Sequence, residues 1–109
     1  MTDHIKVVQP SGALDATKSQ EFREEVIKLL DNQPKIVLVD LKDITFMDSS
    51  GLGSLVLAFK TLRAADTKLV LCSINEQVKI LFELTGMDKV FEIFSNQDEF
   101  NKAVLSQIA

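Results

Sequence analysis

Ile36-Val37-Leu38-Val39-Asp40-Leu41 is followed, after two polar residues, by Ile44-Thr45-Phe46-Met47-Asp48-Ser49-Ser50-Gly51-Leu52-Gly53. The first run is of strand length, rich in β-branched residues and apolar but for one aspartate, the pattern of a strand covered on both faces within a parallel sheet. In the second, apolar Ile44 to Met47 gives way at Asp48 to small polar residues. Leu52, Leu55, Val56, Phe59 and Leu62 then mark one face of a helix running to about Ala64. A strand thus hands over directly to a helix, and Ser49 or Ser50 is the expected N-cap.

The same alternation extends in both directions. Downstream, Lys68 to Ser73 repeats the buried-strand pattern with Leu69, Val70, Leu71 and Cys72. Ser73-Ile74-Asn75-Glu76 reads as a capping box before a helix carrying Val78, Leu81 and Phe82, which Gly86 closes from the C′ position. Val90 to Phe94 is a short strand with Phe91 and Phe94 in core or edge packing. A last helix starts near Gln97 and turns Phe100, Ala103, Val104 and Ile108 inward. Upstream, Ile5 to Gln9 is a short strand broken by Pro10-Ser11-Gly12, and the apolar pair Ala13-Leu14 leads to Asp15. Thr17 and Gln20 form a capping-box pair for a helix with Phe22, Val26, Leu29 and Leu30 on one face, which stops at Asn32 to Pro34. Strands alternating with helices predict an α/β sandwich with a mostly parallel central sheet of about four strands and about four helices.

At 109 residues the chain is one domain, spanning 1–109. Hydrophobic residues at 46% and charged residues at 26% are too apolar a mixture for a disordered chain. Twelve basic against sixteen acidic residues leave a net charge of −4, which gives no electrostatic footprint for phosphate backbones and argues against direct nucleic-acid binding. The single cysteine, Cys72, excludes an internal disulfide framework and a multi-cysteine metal site, and its place in a buried-strand pattern makes it a small core hydrophobe. Met1-Thr2-Asp3-His4 lacks a basic region followed by an apolar run, and no stretch approaches the ~18–20 apolar residues that span a bilayer. A cytoplasmic protein without membrane insertion is expected.

Chemistry concentrates at Phe46 to Gly53, where a strand-to-helix junction puts small polar side chains and backbone N–H groups beyond the carboxyl end of the sheet. A hydrolase nucleophile elbow would read G-x-S-x-G, but Met47 and Asp48 stand two residues before the serines. His4, the one histidine available as a base, lies in a terminal segment. Gly51-x-Gly53 lacks the third glycine of a dinucleotide-binding loop, since position 56 is valine, and no P-loop string exists. A phosphoaspartate receiver needs an acidic pair after its first strand, where this chain has Gln9-Pro10-Ser11-Gly12. Helix capping alone accounts for an aspartate or a serine at the junction. Two serines, an aspartate and two glycines exceed that need, and glycines strip side chains from around the hydroxyls, which favours close approach by another molecule.

Phe46 to Gly53, preceded by Gly12-x-Leu14-Asp15 and followed by Phe82-Glu83-Leu84-Thr85-Gly86-Met87, resembles the STAS domain of the bacterial anti-sigma factor antagonists, in the same order and at similar spacing over nearly the whole chain. The resemblance implies a partner-switching cycle. The serine directly after the aspartate, Ser49, would be phosphorylated by a partner kinase. The unphosphorylated protein would bind an anti-sigma factor, often itself the ATP-dependent serine kinase, and a separate protein phosphatase would reset it. Asp15, Asp48, Ser50, Gly51, Leu52 and Gly53 would contact the partner. Asp48 is either a helix-start residue or a carboxylate that meets the partner or orients the serine hydroxyl. Asp15 is a turn or cap residue or a partner contact, and Ser50 reads as a hydrogen-bonding cap. Leu57 and Ala58 lie off the apolar stripe of their helix, either exposed for an interface or buried by neighbouring loops. On this reading the chain is no enzyme and needs neither cofactor nor metal, because ATP, Mg²⁺ and the catalytic groups belong to the kinase. Two other readings stay open: a STAS-type interaction module of another signalling or transport complex, and a small nucleotide-binding protein or hydrolase using the helix start as an anion site.

Overall fold

The apolar run at 36–41 supplies an inner strand of a four-stranded parallel sheet in the computed structural model, which describes residues 4–108 and only the backbone of Leu105, Gln107 and Ile108. The elements are β1 (Ile5–Val8), β2 (Gly12–Leu14), α1 (Ala16–Lys28), β3 (Ile36–Asp40), β4 (Ile44–Met47), α2 (Ser49–Ala64), β5 (Lys68–Cys72), α3 (Glu76–Thr85), β6 (Glu92–Phe94) and α4 (Gln97–Ile108). Single 3-10 turns follow α1 at Leu29–Asn32 and α3 at Met87–Lys89. The sheet order is β1-β3-β5-β6, every pair parallel, with Val8 opposite Val39, Val39 opposite Leu71, and Leu71 opposite Ile93. This is the α/β sandwich read from the sequence.

Side chains alternate across the sheet, so two apolar layers form. Val37, Val39, Leu69 and Leu71 face α1, α2 and α3 and bury Val26, Leu55, Leu62, Val78 and Phe82 against them. Leu38, Val70 and Cys72 face the other way, where α4 lays Phe100 over them and Phe94 and Val104 pack alongside. Each fully buried side chain of this size contributes roughly 1.5–3 kcal/mol relative to exposure, so the larger layer dominates the fold. Phe91 is buried and stacks edge-on to Phe59 at 5.5 Å. Burial, foremost, pushes the Cys72 thiol above its usual range.

Some local readings are corrected and others are resolved. β6 starts at Glu92, because Val90 still belongs to the end of the preceding 3-10 turn. Ala58 is buried while Leu57 is exposed, so the two do not share a surface. The side chain of Ile108 lies outside the described residues. Ser73 does not cap α3; its backbone is left-handed, with φ 63°, and the cap is Asn75, which accepts from Val78 N at 2.9 Å. Gly86 ends α3 with φ 75°, the left-handed C-terminal position expected of it. β4 stands outside the central sheet: among the described residues it pairs only with β2, in parallel.

Candidate functional site

That small second sheet builds the site. Leu14 of β2 lies opposite Met47 of β4, so the residues that follow them, Asp15 and Asp48, start α1 and α2 side by side. Each aspartate is the N-cap of its helix in extended backbone. Asp48 Oδ1 accepts from Gly51 N at 2.9 Å, which corrects the expectation that a serine caps α2. Asp15 Oδ1 accepts from Thr17 N at 3.0 Å and from Thr17 Oγ1 at 2.6 Å, so the cap of α1 lies two residues before the expected one and Thr17 lies inside the helix. Gln20 does not reach back to the helix start; its Nε2 donates forward to Glu24 at 3.1 Å. The Thr17 hydroxyl, foremost, holds the Asp15 carboxyl below its usual range.

The two helix starts are tied together. Ser19 Oγ donates to Asp15 O at 2.7 Å and lies 3.2 Å from Ser50 O across the junction. Gly51 is buried, and a Cβ there would stand 1.9 Å from the Leu14 carbonyl oxygen and 2.8 Å from its carbon. Only glycine lets α2 approach β2 this closely. The two glycines therefore differ: Gly51 serves the internal packing, whereas Gly53 is exposed with no heavy atom within 4 Å of a Cβ.

Asp48 as cap frees both serines. Ser49 is the first and Ser50 the second residue of α2; both are exposed, and neither hydroxyl has a hydrogen-bond partner among the described residues. Their backbone N–H groups belong to the helix's unsatisfied first turn, the positive end of its dipole. Beside Ser49 runs a shallow, largely apolar groove of about 430 Å³ between α2 and the end of α3. Leu52, Gly53, Val56, Leu57, Lys60, Thr85 and Met87 line it. Leu52 is buried, so it forms the groove's floor rather than a projecting contact. The structure thus gathers Asp15, Asp48, Ser49, Ser50 and Gly53 on one end of the molecule, with Gly51 and Leu52 beneath them.

Two participants were not read from the sequence. Ser19 links α1 to α2, and Gln77 of α3 bonds the backbone of Met47 directly before the site. Both bond to backbone roughly thirty residues away, so no local pattern announces them. Among the described residues there is no group of three His, Cys, Asp or Glu side chains that could hold a metal, and no helix long and apolar enough to cross a membrane.

The fold and this end of it define a small α/β domain that presents an unbonded serine hydroxyl, on a capped helix start, beside an apolar groove. The STAS domain family matches residues 1–100, and the chain belongs to that family. A relative from Listeria monocytogenes named anti-sigma-B factor antagonist is 34% identical over 100 residues, covering 92% of this chain and 87% of that protein. The crystal structure of an anti-sigma factor antagonist from Mycobacterium paratuberculosis superposes with a TM-score of 0.82 at 24% identity, over 94% of this chain and 86% of that one. A sulfate transporter family protein from Wolinella succinogenes gives a TM-score of 0.81 at 13% identity, over 94% of this chain and 88% of that one. These two likenesses show the fold.

Proposed function

We propose that this protein is a cytoplasmic anti-sigma factor antagonist that works by phosphorylation-controlled partner switching. The unphosphorylated form docks its α2 start and the adjoining groove on an anti-sigma factor that is also a serine kinase. The kinase transfers the γ-phosphoryl group of ATP to Ser49 Oγ; the bond to the ADP oxygen breaks and the hydroxyl proton leaves. The modified form is released, and a protein phosphatase hydrolyses the ester. The chain supplies an acceptor hydroxyl and a binding surface and is itself no enzyme.

The observation that carries the reading is the unbonded, exposed Ser49 hydroxyl at the first position of α2, beside an apolar groove. The relatives named anti-sigma factor antagonists support it. A phosphate adds about −1.5 to −2 charges, taking the net charge from −4 to roughly −6. At a helix start it meets N–H groups and the positive dipole end, worth typically ~0.3–1 kcal/mol, so the fold accommodates it. Across an interface the same charge has to be desolvated against apolar or acidic surface, which costs several kcal/mol. The switch is therefore electrostatic rather than a refolding. Incubating the protein with the partner kinase and ATP tests the site: Ser49→Ala abolishes labelling and Ser50→Ala retains it. The reverse pattern overturns the assignment.

A further inference from the structure

Among the described residues β4 has a strand neighbour on one edge only, β2. Its other edge faces the start of α3, where two side chains take the place of a strand. Asn75 Nδ2 donates to Ile44 O at 3.0 Å at the beginning of β4. At its end the Gln77 amide bonds one residue twice: Oε1 accepts from Met47 N at 2.9 Å and Nε2 donates to Met47 O at 2.7 Å. The primary amide of Gln77 thus pairs with Met47 as a peptide group of an adjacent strand would.

Met47 is the residue through which the site is aimed. It is fully buried, its Cγ would lie 3.1 Å from a Cβ at Gly51, and the next two residues are the cap Asp48 and Ser49. From α1, Ser19 steadies the first turn of α2 at Ser50 O. From α3, Gln77 fixes the residue before the cap. A backbone N–H and C=O at a half-buried strand end, deprived of both partners, have strong reason to shift in search of others.

We propose that Gln77 is a positioning residue for Ser49: by clamping both polar groups of Met47 it holds the start of α2 in one geometry, so that the Ser49 hydroxyl is presented consistently to the phosphoryl donor. The phosphoryl-transfer half of this inference rests on the proposed function; the clamping half does not.

The test uses the full chain and Gln77→Met, which keeps the side-chain volume and removes both hydrogen bonds. Amide hydrogen exchange is followed at Met47 and Gly51 and, as a reference, at Val70 and Leu71 of β5, with stability measured by urea unfolding. Protection should fall about tenfold at Met47 and Gly51, the size of one or two net hydrogen bonds, beyond any change at β5. In the kinase assay kcat for Ser49 should fall by a similar factor while KM, set by the intact groove, stays constant. Unchanged protection at Met47, or an equal loss at all four amides, overturns the proposal, as does an unchanged kcat. Should Gln77→Met fail to fold, Gln77→Glu, which keeps an acceptor for Met47 N but sets a carboxylate oxygen against Met47 O in place of the donor, should likewise lower protection at Met47 and Gly51 relative to β5; wild-type exchange would overturn the proposal. A wild-type chain that no partner kinase labels refutes the proposed function, while the exchange measurements still decide the clamp.

Discussion

Replacing Gly51 with alanine places a methyl 1.9 Å from the Leu14 carbonyl oxygen and 2.8 Å from its carbon, both backbone atoms of β2. A carbon-to-oxygen contact rests at about 3.3–3.6 Å, so α2 has to withdraw by more than 1 Å. Withdrawal stretches the Asp48 N to Leu14 O bond, already 3.4 Å, and the Ser19 contact to Ser50 O. Overpacking of this kind costs about 1–3 kcal/mol and more where backbone has to move, against a helix-propensity gain of up to about 1 kcal/mol for leaving glycine. The net expectation is a loss of about 2 kcal/mol, or roughly 10 °C in Tm for a domain near 100 residues. Gly53→Ala is the matched control: nothing lies within 4 Å of its Cβ, so it should gain up to about 1 kcal/mol. On the proposed function it should also weaken partner binding, since the methyl projects from the docking surface. Equilibrium urea unfolding of both variants measures the difference. A Gly51→Ala protein as stable as Gly53→Ala refutes the close approach of α2 to β2.

Two further outcomes follow from titratable groups. The Asp15 carboxyl is held below its ordinary 3.8 by the Thr17 hydroxyl first of all, so its contribution to stability is complete above that value and is lost as pH falls through the lowered folded value. The stability gap between wild type and Asp15→Ala should stay constant from neutral pH to about pH 4 and close below it, and Thr17→Val should move the closure upward; urea midpoints across pH that keep the gap constant down to about pH 2 would contradict this. Cys72 is buried with its thiol pushed up, so in the native protein a disulfide reagent at neutral pH should label it no faster than the chain unfolds; rapid labelling without unfolding would contradict the buried placement.

The central strands were legible because Ile36 to Val39 and Leu69 to Cys72 are unbroken apolar runs whose length and composition leave few alternatives. Helix starts were legible only to within a residue or two. Each junction offers successive cap-competent residues, Asp15 and Thr17, Asp48 and Ser49, Ser73 and Asn75, and which one caps is settled by where the helix seats rather than by propensity. At α2 the seat is the contact of Gly51 with the Leu14 carbonyl, a pairing of residues far apart in the chain. The β2 pairing with β4 was hidden for a similar reason: Gly12–Leu14 is only three residues long and includes a glycine at φ 77° and a register shift. The octapeptide at 46–53 still pointed to the end of the molecule that carries the candidate site. It could not show that Asp48, by capping, leaves Ser49 unbonded, nor that Gln77 and Ser19 brace it from either side.

In the proposed function, charge at the start of α2 governs the choice of partner. Calorimetric titration of the anti-sigma factor with the unmodified and the Ser49-phosphorylated protein, in the same buffer at about 0.1 M salt, measures this. The expected result is an affinity reduced about a thousandfold, corresponding to about 4 kcal/mol, with an unchanged fold by amide chemical shifts away from α2. Equal affinities for the two forms would contradict it.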